Sequence, residues 1–494
     1  MNTCEFAHVL LVLFVGIVCW HCSSTITTSH QLRILIATEY LPPYISGIAN
    51  RCKNLINGYR AEGHEVTVYS VTGTDCDVVV PSIPNPLYEH QRVFILPPLS
   101  LILQLLDFTK PVPYDIAHLV APLCLSFLLV IPLLRLRGVK MYVSYHVYLE
   151  YYENRYVGAH PFVRSLLELL FTIVYFIPLV WLADCVGIPS KTADGYVFRN
   201  ARRIHYLKSG LDTSVFVPKR IGEDSDKSKP GLLSLSTTAS NASLNVKVIE
   251  TPTSENDLEI KDLRQFAGIP SDSSSDKKKD NPLLIYVGRL AVEKNVEFLV
   301  QAMSHPLLTN ATLVIVGDGP CRPSLEALSK AVVGAESVYS PPTAKQSADD
   351  AKPNANVVAA AEALRKKPET RKRIIFTGMI LNEHLVASYY GQCDLFVSAS
   401  ASETFGFTVA EGMACGTPAV MVRSGAFKTV YKMVDDWMFN ENDVDDYANK
   451  VVTVFSKGTT GRRYARDIAV KGFSVNSAVK DLLKTYQWIV EGCP

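Results

Sequence analysis

Residues 282–290 read PLLIYVGRL, and residues 393–411 read CDLFVSASASETFGFTVAE. Each opens with an apolar run of strand length and then breaks into glycine, hydroxyl and charged side chains. The second stretch continues into a helical pattern around Glu411 to Ala414. Strand, polar loop and helix make the unit of a parallel sheet, and open sheets of this kind hold ligands outside the carboxyl ends of their strands. Working outward, ATLVIVGDGP (311–320), RIIFTGM (373–379) and TPAVMV (417–422) repeat the pattern. They define an α/β domain over 282–455, interrupted by a low-complexity insertion over 332–371.

The N-terminal half carries its own series. LRILIATEY, a helical pattern through Leu55, Ile56 and Tyr59, and GHEVTVYS form one βα unit in under forty residues. Further strands are expected at DIAHLV, KMYVSYH, ADCVGIPS and RIHYLKSGLD, so a first α/β domain spans 32–216. Between the two, residues 217–281 turn to Ser, Thr, Asp and Lys and read as a linker enlarged by a disordered insertion, with a helical patch near Leu258 to Phe266. Residues 456–494 end in apolar positions at helical spacing and read as closing helices. Two Rossmann-like domains in tandem is the inferred architecture.

Composition narrows the function. The 494 residues carry 49 Lys plus Arg against 48 Asp plus Glu, so no basic surplus recruits a nucleic acid. The 11 cysteines are odd in number and scattered, which is no disulfide framework, and the one CxxC, Cys19 and Cys22, ends an apolar leader with no second pair to complete a zinc site. That leader, residues 1–31 with the run VLLVLFVGIVCW, has the length of a signal-peptide core, yet no Lys or Arg precedes it, so signal peptide and retained anchor both stand. Three first-domain segments, Phe94 to Leu106, Leu123 to Leu136 and Leu166 to Ala183, are rich in Leu and aromatic residues and read either as helices covering a sheet or as lipid-touching surface.

Two places hold candidate chemistry. Gly288, Arg289 and, shortly after, Lys294 sit at a strand's carboxyl end, where a guanidinium and an ammonium can hold a diphosphate without a metal. The bland alternative is a pair of solvated surface charges. Glu403 and Glu411 flank Phe405, Gly406 and Phe407; the glycine lets backbone amides approach an anion, and the carboxylates can accept hydrogen bonds from sugar hydroxyls. Their bland alternatives are a charge at a helix N-terminus and a solvated helix face.

In this order and spacing, GRLAVEK, VIVGDGP, FTGM, ETFGFTVAE and GMACGTPAV resemble the retaining GT-B glycosyltransferases of glycosyltransferase family 4. The resemblance covers the second domain apart from its insertion and reaches the first through its opening loop, GHEVTVYS and SGLDTSVFVP. Within the family, SYHVYLEYYENRY, SGLD and the GM after FT are most similar to the sulfolipid synthases, which transfer sulfoquinovose from UDP-sulfoquinovose to diacylglycerol. The resemblance implies an α/β GT-B fold, two Rossmann-like domains facing a central cleft. It implies that Arg289 and Lys294 bind the donor diphosphate, Glu403 the sugar hydroxyls and Glu411 the ribose, with backbone amides from Phe405 and Gly406. Gly47, Gly288, Gly317, Met379, Thr404 and Phe407 complete the expected nucleotide-sugar site. His146 matches the family histidine at the acceptor-side edge of the donor sugar, whereas His118 is expected at a buried strand end.

Two departures bear on sugar identity. The family's paired glycines in the opening loop appear here as Ser46-Gly47, and a later Gly-Gly before proline appears as Gly425-Ala426 with Lys428 at the proline position. No metal is assigned to the D-x-D triplets at Asp75–Asp77 and Asp443–Asp445, and no cofactor is expected beyond the donor substrate. The expected activity is retaining, metal-independent hexosyl transfer from a nucleotide sugar to a lipid acceptor, with sulfoquinovose and diacylglycerol as the specific pair. The alternatives are a family 4 hexosyl- or mannosyltransferase with another lipid or glycan acceptor, and an epimerase or phosphorylase on the same fold. A membrane surface is the expected partner, in an endomembrane or plastid setting.

Overall fold

The computed structural model describes residues 31–492 apart from 43–46, 72–74, 85–91, 95–97, 122–129, 147–176, 191–200, 219–259, 261, 270–280 and 341–370. The leader through residue 30, Ser46, most of the tract after His146 and the bulk of both insertions lie outside the described residues.

The first body is a parallel sheet of seven strands: β1 (Arg33–Thr38), β2 (Glu65–Ser70), β3 (Val78–Val79), β6 (Ile116–Ala121), β7 (Lys140–Tyr145), β8 (Cys185–Ile188) and β9 (Ile204–Tyr206). Two short strands, β4 (Ser82–Pro84) and β5 (Arg92–Phe94), pair antiparallel beside it. The spatial order β3-β2-β1-β6-β7-β8-β9 reverses direction between β1 and β6, the switch point of a doubly wound sheet. β6 is buried at every position, because helices cover both faces and leave no side for polar residues. On one face lie the helices Leu99–Leu106, Val130–Leu136 and Ile177–Leu182, which fall within the three apolar segments of the sequence, whose residues 95–97, 123–129 and 166–176 lie outside the described ones. Leu101, Leu105, Ile131, Leu134 and Leu179 turn into the core.

The second body repeats this plan with β10 (Leu283–Val287), β11 (Thr312–Val316), β12 (Val338–Tyr339), β13 (Ile374–Gly378), β14 (Leu395–Ser398), β15 (Ala419–Val422) and β16 (Met438–Phe439). Their order is β12-β13-β11-β10-β14-β15-β16, all parallel, with the switch point between β10 and β14. The stretches that open the sequence reading therefore lie side by side at the centre of this sheet, where two loops leave in opposite directions.

Several boundaries differ from those read in the sequence. The linker drawn over 217–281 contains a segment that belongs to the second body, because Ile260, Leu263, Phe266 and Ile269 are buried in its core. Asp262 caps the short helix Leu263–Phe266, and the Ile260 amide donates to the Tyr389 hydroxyl at 2.9 Å. The insertion drawn from 332 likewise begins later in space. The helix Arg322–Val333 runs past that point, and Val338 and Tyr339 extend the sheet by pairing with Ile374 and Ile375. Tyr339 meets the Phe266 ring edge-on at 4.8 Å, which ties the two misjudged segments together.

The chain crosses between the bodies near 211 and again near 474. The two crossings pair, with Leu211 N donating to Phe473 O at 2.8 Å and Val475 N to Leu211 O at 2.9 Å. After the second crossing the helix Val475–Val490 returns to the first body and buries Ala478, Val479, Leu482 and Tyr486 with Cys52, Leu55, Ile56 and Tyr59 of the helix Gly47–Ala61. Gly58 permits this approach, since a Cβ there would stand 2.4 Å from Val479 Cγ2.

Candidate active site

The expected donor-site residues fall at the carboxyl ends of four adjacent strands. Gly288 follows β10, Gly317 follows β11, Met379 follows β13, and the Glu403 loop follows β14. Gly288 and Gly317 pack backbone to backbone: a Cβ on Gly317, whose φ is +144°, would stand 1.9 Å from the Gly288 carbonyl oxygen. That contact requires glycine, and the two backbones form a low crest at the carboxyl edge of the sheet. Arg289 lies exposed beside this crest, its carbonyl oxygen accepting from the buried Tyr286 hydroxyl at 3.0 Å.

Lys294 and Glu403 are brought together although 109 positions separate them, with Nζ to Oε1 at 2.5 Å. Each side chain is about one-fifth to one-quarter exposed, so the pair is reachable yet partly desolvated. The turn Val292–Lys294 is tied to the β14 loop by the Ser400 and Ser402 hydroxyls, which both donate to the Glu293 carbonyl at 3.3 Å. Asn295, in the left-handed region at φ 49°, ends that turn and opens the helix Val296–Ala302. The Gly425 region packs on the same loop: a Cβ at Gly425 would lie 2.5 Å from the Ala401 carbonyl.

Thr404, half-buried, leads from Glu403 into Phe405, whose side chain belongs to the core and packs on Phe407, Tyr431 and Phe473. Gly406 turns the chain at φ +83° into the helix Phe407–Ala414, and a Cβ there would meet the Phe427 ring at 2.5 Å. Its carbonyl accepts from the Tyr431 hydroxyl at 2.8 Å. One turn into the helix, Glu411 accepts a hydrogen bond from the Tyr390 hydroxyl at 3.0 Å. Burial pushes the Glu411 carboxyl up to about 7, Glu383 adds to that shift, and the Tyr390 bond opposes it. Glu411 is therefore not a freely solvated helix-face charge, and among the described residues it has no ion-pair partner.

Across the cleft, Gly47 begins its helix against Phe407; a Cβ on Gly47 would stand 3.1 Å from Phe407 Cδ2. Asn50, one turn on, donates to Glu383 Oε1 at 2.6 Å. His146 leaves β7 at its carboxyl end and is 7% exposed. Its Nε2 lies 3.3 Å from Arg51 Nη1 and 3.0 Å from Ser144 Oγ. Burial first, then the charges of Arg51 and His118, hold it well below the ordinary imidazole value. His118, expected at a buried strand end, is buried inside β6 instead, and burial takes it to about 3.

Arg51 was missed in the sequence. It is 2% exposed and donates from Nε and Nη2 to the Lys208 carbonyl at 3.2 and 3.0 Å. Its signal was available: Arg51, Leu55 and Tyr59 stand four apart on one helical face that is otherwise apolar. Tyr390 and Ser400 carry no such signal, because their roles depend on which strand lies beside which. The two D-x-D triplets serve local structure. Asp77 accepts from Val68 N and Arg60, and Asp443 caps the helix Val444–Ser456.

Comparison with known proteins identifies the two halves of this fold. Residues 45–215 match the model described as Glycosyltransferase Family 4, and residues 270–469 the model described as Glycosyl transferases group 1. The chain is 24% identical over 478 residues to the sulfoquinovosyl transferase SQD2 of Arabidopsis thaliana, covering 93% of this chain and 72% of that protein. It is 24% identical over 404 residues to the alpha-monoglucosyldiacylglycerol synthase of Streptococcus pneumoniae, covering 79% and 70%. The fold is that of the Anabaena protein HepE, solved in complex with UDP and glucose, at a TM-score of 0.52 and 14% identity over 92% of this chain and 100% of that one. The chain belongs to the GT-B glycosyltransferases that join a family 4 half to a group 1 half.

Proposed function

We propose that the protein transfers a hexosyl group from a UDP-sugar to a lipid hydroxyl with retention of configuration, and that the specific pair is sulfoquinovose and diacylglycerol. The observation that carries the reading is the Lys294–Glu403 pair at the β10/β14 switch point, with Arg289 at its edge and the Gly288–Gly317 crest beneath. A cationic side chain already 2.5 Å from a carboxylate brings a diphosphate site and a sugar-hydroxyl acceptor to one point, as cleavage of a sugar–phosphate bond needs.

In this reading Arg289 and Lys294 neutralise the departing diphosphate, Glu403 accepts from sugar hydroxyls and Glu411 from the ribose. Gly47 and Gly406 let the chain pass close against the Phe407 and Phe427 rings at the edge of the donor site, while Met379 and Thr404 border it. The acceptor hydroxyl approaches on the side from which the nucleotide leaves. The bond from the anomeric carbon to the diphosphate breaks as the bond to the acceptor oxygen forms, and a diphosphate oxygen takes the acceptor's proton. The sequence thus requires no metal or cofactor.

The lipid acceptor is supported by the named activities of the relatives above and by one surface. The helix Leu99–Leu106 turns Leu99, Leu103 and Leu106 outward, each at least half exposed, with Phe108 just beyond and Trp181 exposed on the helix Ile177–Leu182. The Arg137 guanidinium covers the Phe108 ring at 4.7 Å. An apolar face edged by a cation suits a bilayer surface. Among the described residues no helix is long and apolar enough to cross a membrane. Contact at the surface, on an endomembrane or plastid membrane, is the setting proposed.

The test is a donor screen: purified protein with diacylglycerol in mixed micelles, offered UDP-sulfoquinovose, UDP-glucose, UDP-galactose and GDP-mannose, with lipid products read by mass. Product from UDP-sulfoquinovose alone is expected. Product from another donor replaces the sugar and keeps the site; turnover that needs inorganic phosphate, or no acceptor, overturns lipid glycosylation in favour of a phosphorylase or an epimerase.

A further inference from the structure

The first body contains a hydrogen-bond chain whose every direction is set by one end. Arg51 can only donate, so its Nη1, 3.3 Å from His146 Nε2, meets a lone pair there. Ser144 Oγ lies between two imidazoles, 3.0 Å from His146 Nε2 and 2.8 Å from His118 Nε2. With His146 Nε2 unprotonated, the serine hydroxyl donates to it and accepts from His118 Nε2–H. His118 Nδ1 then carries the lone pair and accepts from the Tyr486 hydroxyl at 2.7 Å, whose oxygen in turn accepts from the Tyr59 hydroxyl at 3.1 Å. All six side chains are buried, so solvent does not compete for these bonds.

Any other assignment places two lone pairs or two protons face to face at about 3 Å. Burial beside the Arg51 charge also keeps both imidazoles neutral. A neutral His146 with a bare Nε2 carries its proton on Nδ1. The chain ends on His146 at the carboxyl edge of β7, the edge at which ligands of such sheets collect.

We propose that Arg51 is a positioning residue for glycosyl transfer: by occupying the His146 Nε2 lone pair it locks the imidazole as the Nδ1–H tautomer, so that His146 serves the cleft as a hydrogen-bond donor and not as a base. This rests on the reading of His146 as the residue at the edge of the donor sugar. The Nδ1–H donates to an oxygen of the transferred sugar or its leaving phosphate, and the acceptor's proton goes elsewhere. Tyr486 couples the C-terminal helix to the same ring through His118.

Two measurements on the full-length chain test it. The first is a long-range proton–nitrogen spectrum of protein labelled with 15N-histidine, with the His146 signals assigned by their loss in His146→Asn. The Nδ1–H pattern is expected in the wild type and a shift toward Nε2–H in Arg51→Met; an Nε2–H or doubly protonated His146 in the wild type overturns the proposal whatever the protein's substrate proves to be.

The second is kinetic. An Asn amide reaches the place of Nδ1–H and a Gln amide that of Nε2, so His146→Asn should keep kcat within about tenfold while His146→Gln loses about 100-fold. Arg51→Met should lower kcat about tenfold in the wild-type background and have no further effect with His146→Asn, and Arg51→Lys should recover part of the loss by donating to Nε2 again. Equal losses in both backgrounds, at matched melting temperatures, would mean that Arg51 is structural only. Absence of any sugar transfer by the wild type defeats the proposed function, and the spectrum still decides the tautomer.

Discussion

Lys294 and Glu403 form an ion pair at 2.5 Å between loops that follow two strands adjacent in space and 109 residues apart in the chain. With both side chains partly withdrawn from water, the attraction is stronger than that of an exposed pair, and each partner holds the other where a ligand would use it. In the proposed reading donor binding reorganises this pair, because the ammonium is then shared between the carboxylate and the diphosphate.

Lys294→Ala is expected to lower turnover about 100- to 1,000-fold, the usual loss on deleting one preorganised donor to a developing charge. Lys294→Arg should restore part of it. Adding Glu403→Ala to Lys294→Ala should cost less than Glu403→Ala does alone, because the two act as a unit. Steady-state kinetics on the four proteins check this, and near-normal turnover in Lys294→Ala would remove the pair from the reacting centre.

In the proposed reading Glu411 links nucleotide binding to pH. Its carboxyl, ordinarily near 4.5, is pushed up to about 7 by burial, so the native state holds a proton that the unfolded chain releases. Its contribution to stability is therefore greatest below pH 4.5, declines as pH rises from there to 7, and levels off above. Ribose hydroxyls donate to the ionised form, so UDP affinity should rise with pH up to about 7, by at most about tenfold per unit. Glu411→Gln should bind UDP more weakly and with a flat profile, and its melting temperature should exceed that of the wild type most clearly at pH 8. Titration calorimetry at pH 6, 7 and 8 is the measurement; a pH-independent wild-type affinity would take Glu411 out of the ribose site.

Gly317→Ala should destabilise the second body by about 1–3 kcal/mol, since the new methyl group meets the Gly288 carbonyl and the backbone is held in a region that L residues avoid. That corresponds to a fall of roughly 2–4 °C in Tm per kcal/mol. Gly334→Ala, at φ +84° but with nothing within 4 Å, isolates the backbone cost and should lose less. Thermal melts of the two variants compare them directly.

Leu103→Asp with Trp181→Asp alters side chains that are 60% and 57% exposed, so the fold should be unaffected. Each apolar side chain withdrawn from a bilayer forfeits about 1.5–3 kcal/mol. Vesicle binding, measured by sedimentation, should then fall at least about tenfold while UDP affinity stays the same. Unchanged sedimentation would mean that this face does not meet the membrane.

Much of the framework was readable before any coordinates. Every strand of both main sheets but the two-residue edge strands β3, β12 and β16 falls in a tract that reads as a strand in the sequence, most plainly the central ones, because a parallel strand covered on both faces leaves little room for polar side chains. The glycine at 406 was read as letting backbone amides approach an anion; in the structure it is the Phe427 ring that leaves no room for a Cβ there, as the Gly288 carbonyl does at Gly317. The helical patch near Leu258 to Phe266 was legible, but its membership of the second body was not, because a short apolar segment inside a long polar one carries no mark of what it packs against. Its burial depends on Tyr389, Gln392 and Tyr339, distant in sequence.

The amino-acid sequence by itself determined the two sheets, the loops at their carboxyl ends and the residue types offered there, since local hydrophobic period and glycine placement act over a few residues. Only the tertiary structure decided which of those residues meet. It pairs Lys294 with Glu403, raises the Glu411 carboxyl by burying it beside Tyr390, and brings the last helix back to place Tyr486 on His118. Those outcomes depend on strand order and crossover, and a hydrogen bond or a pKa depends on separation in space rather than along the chain.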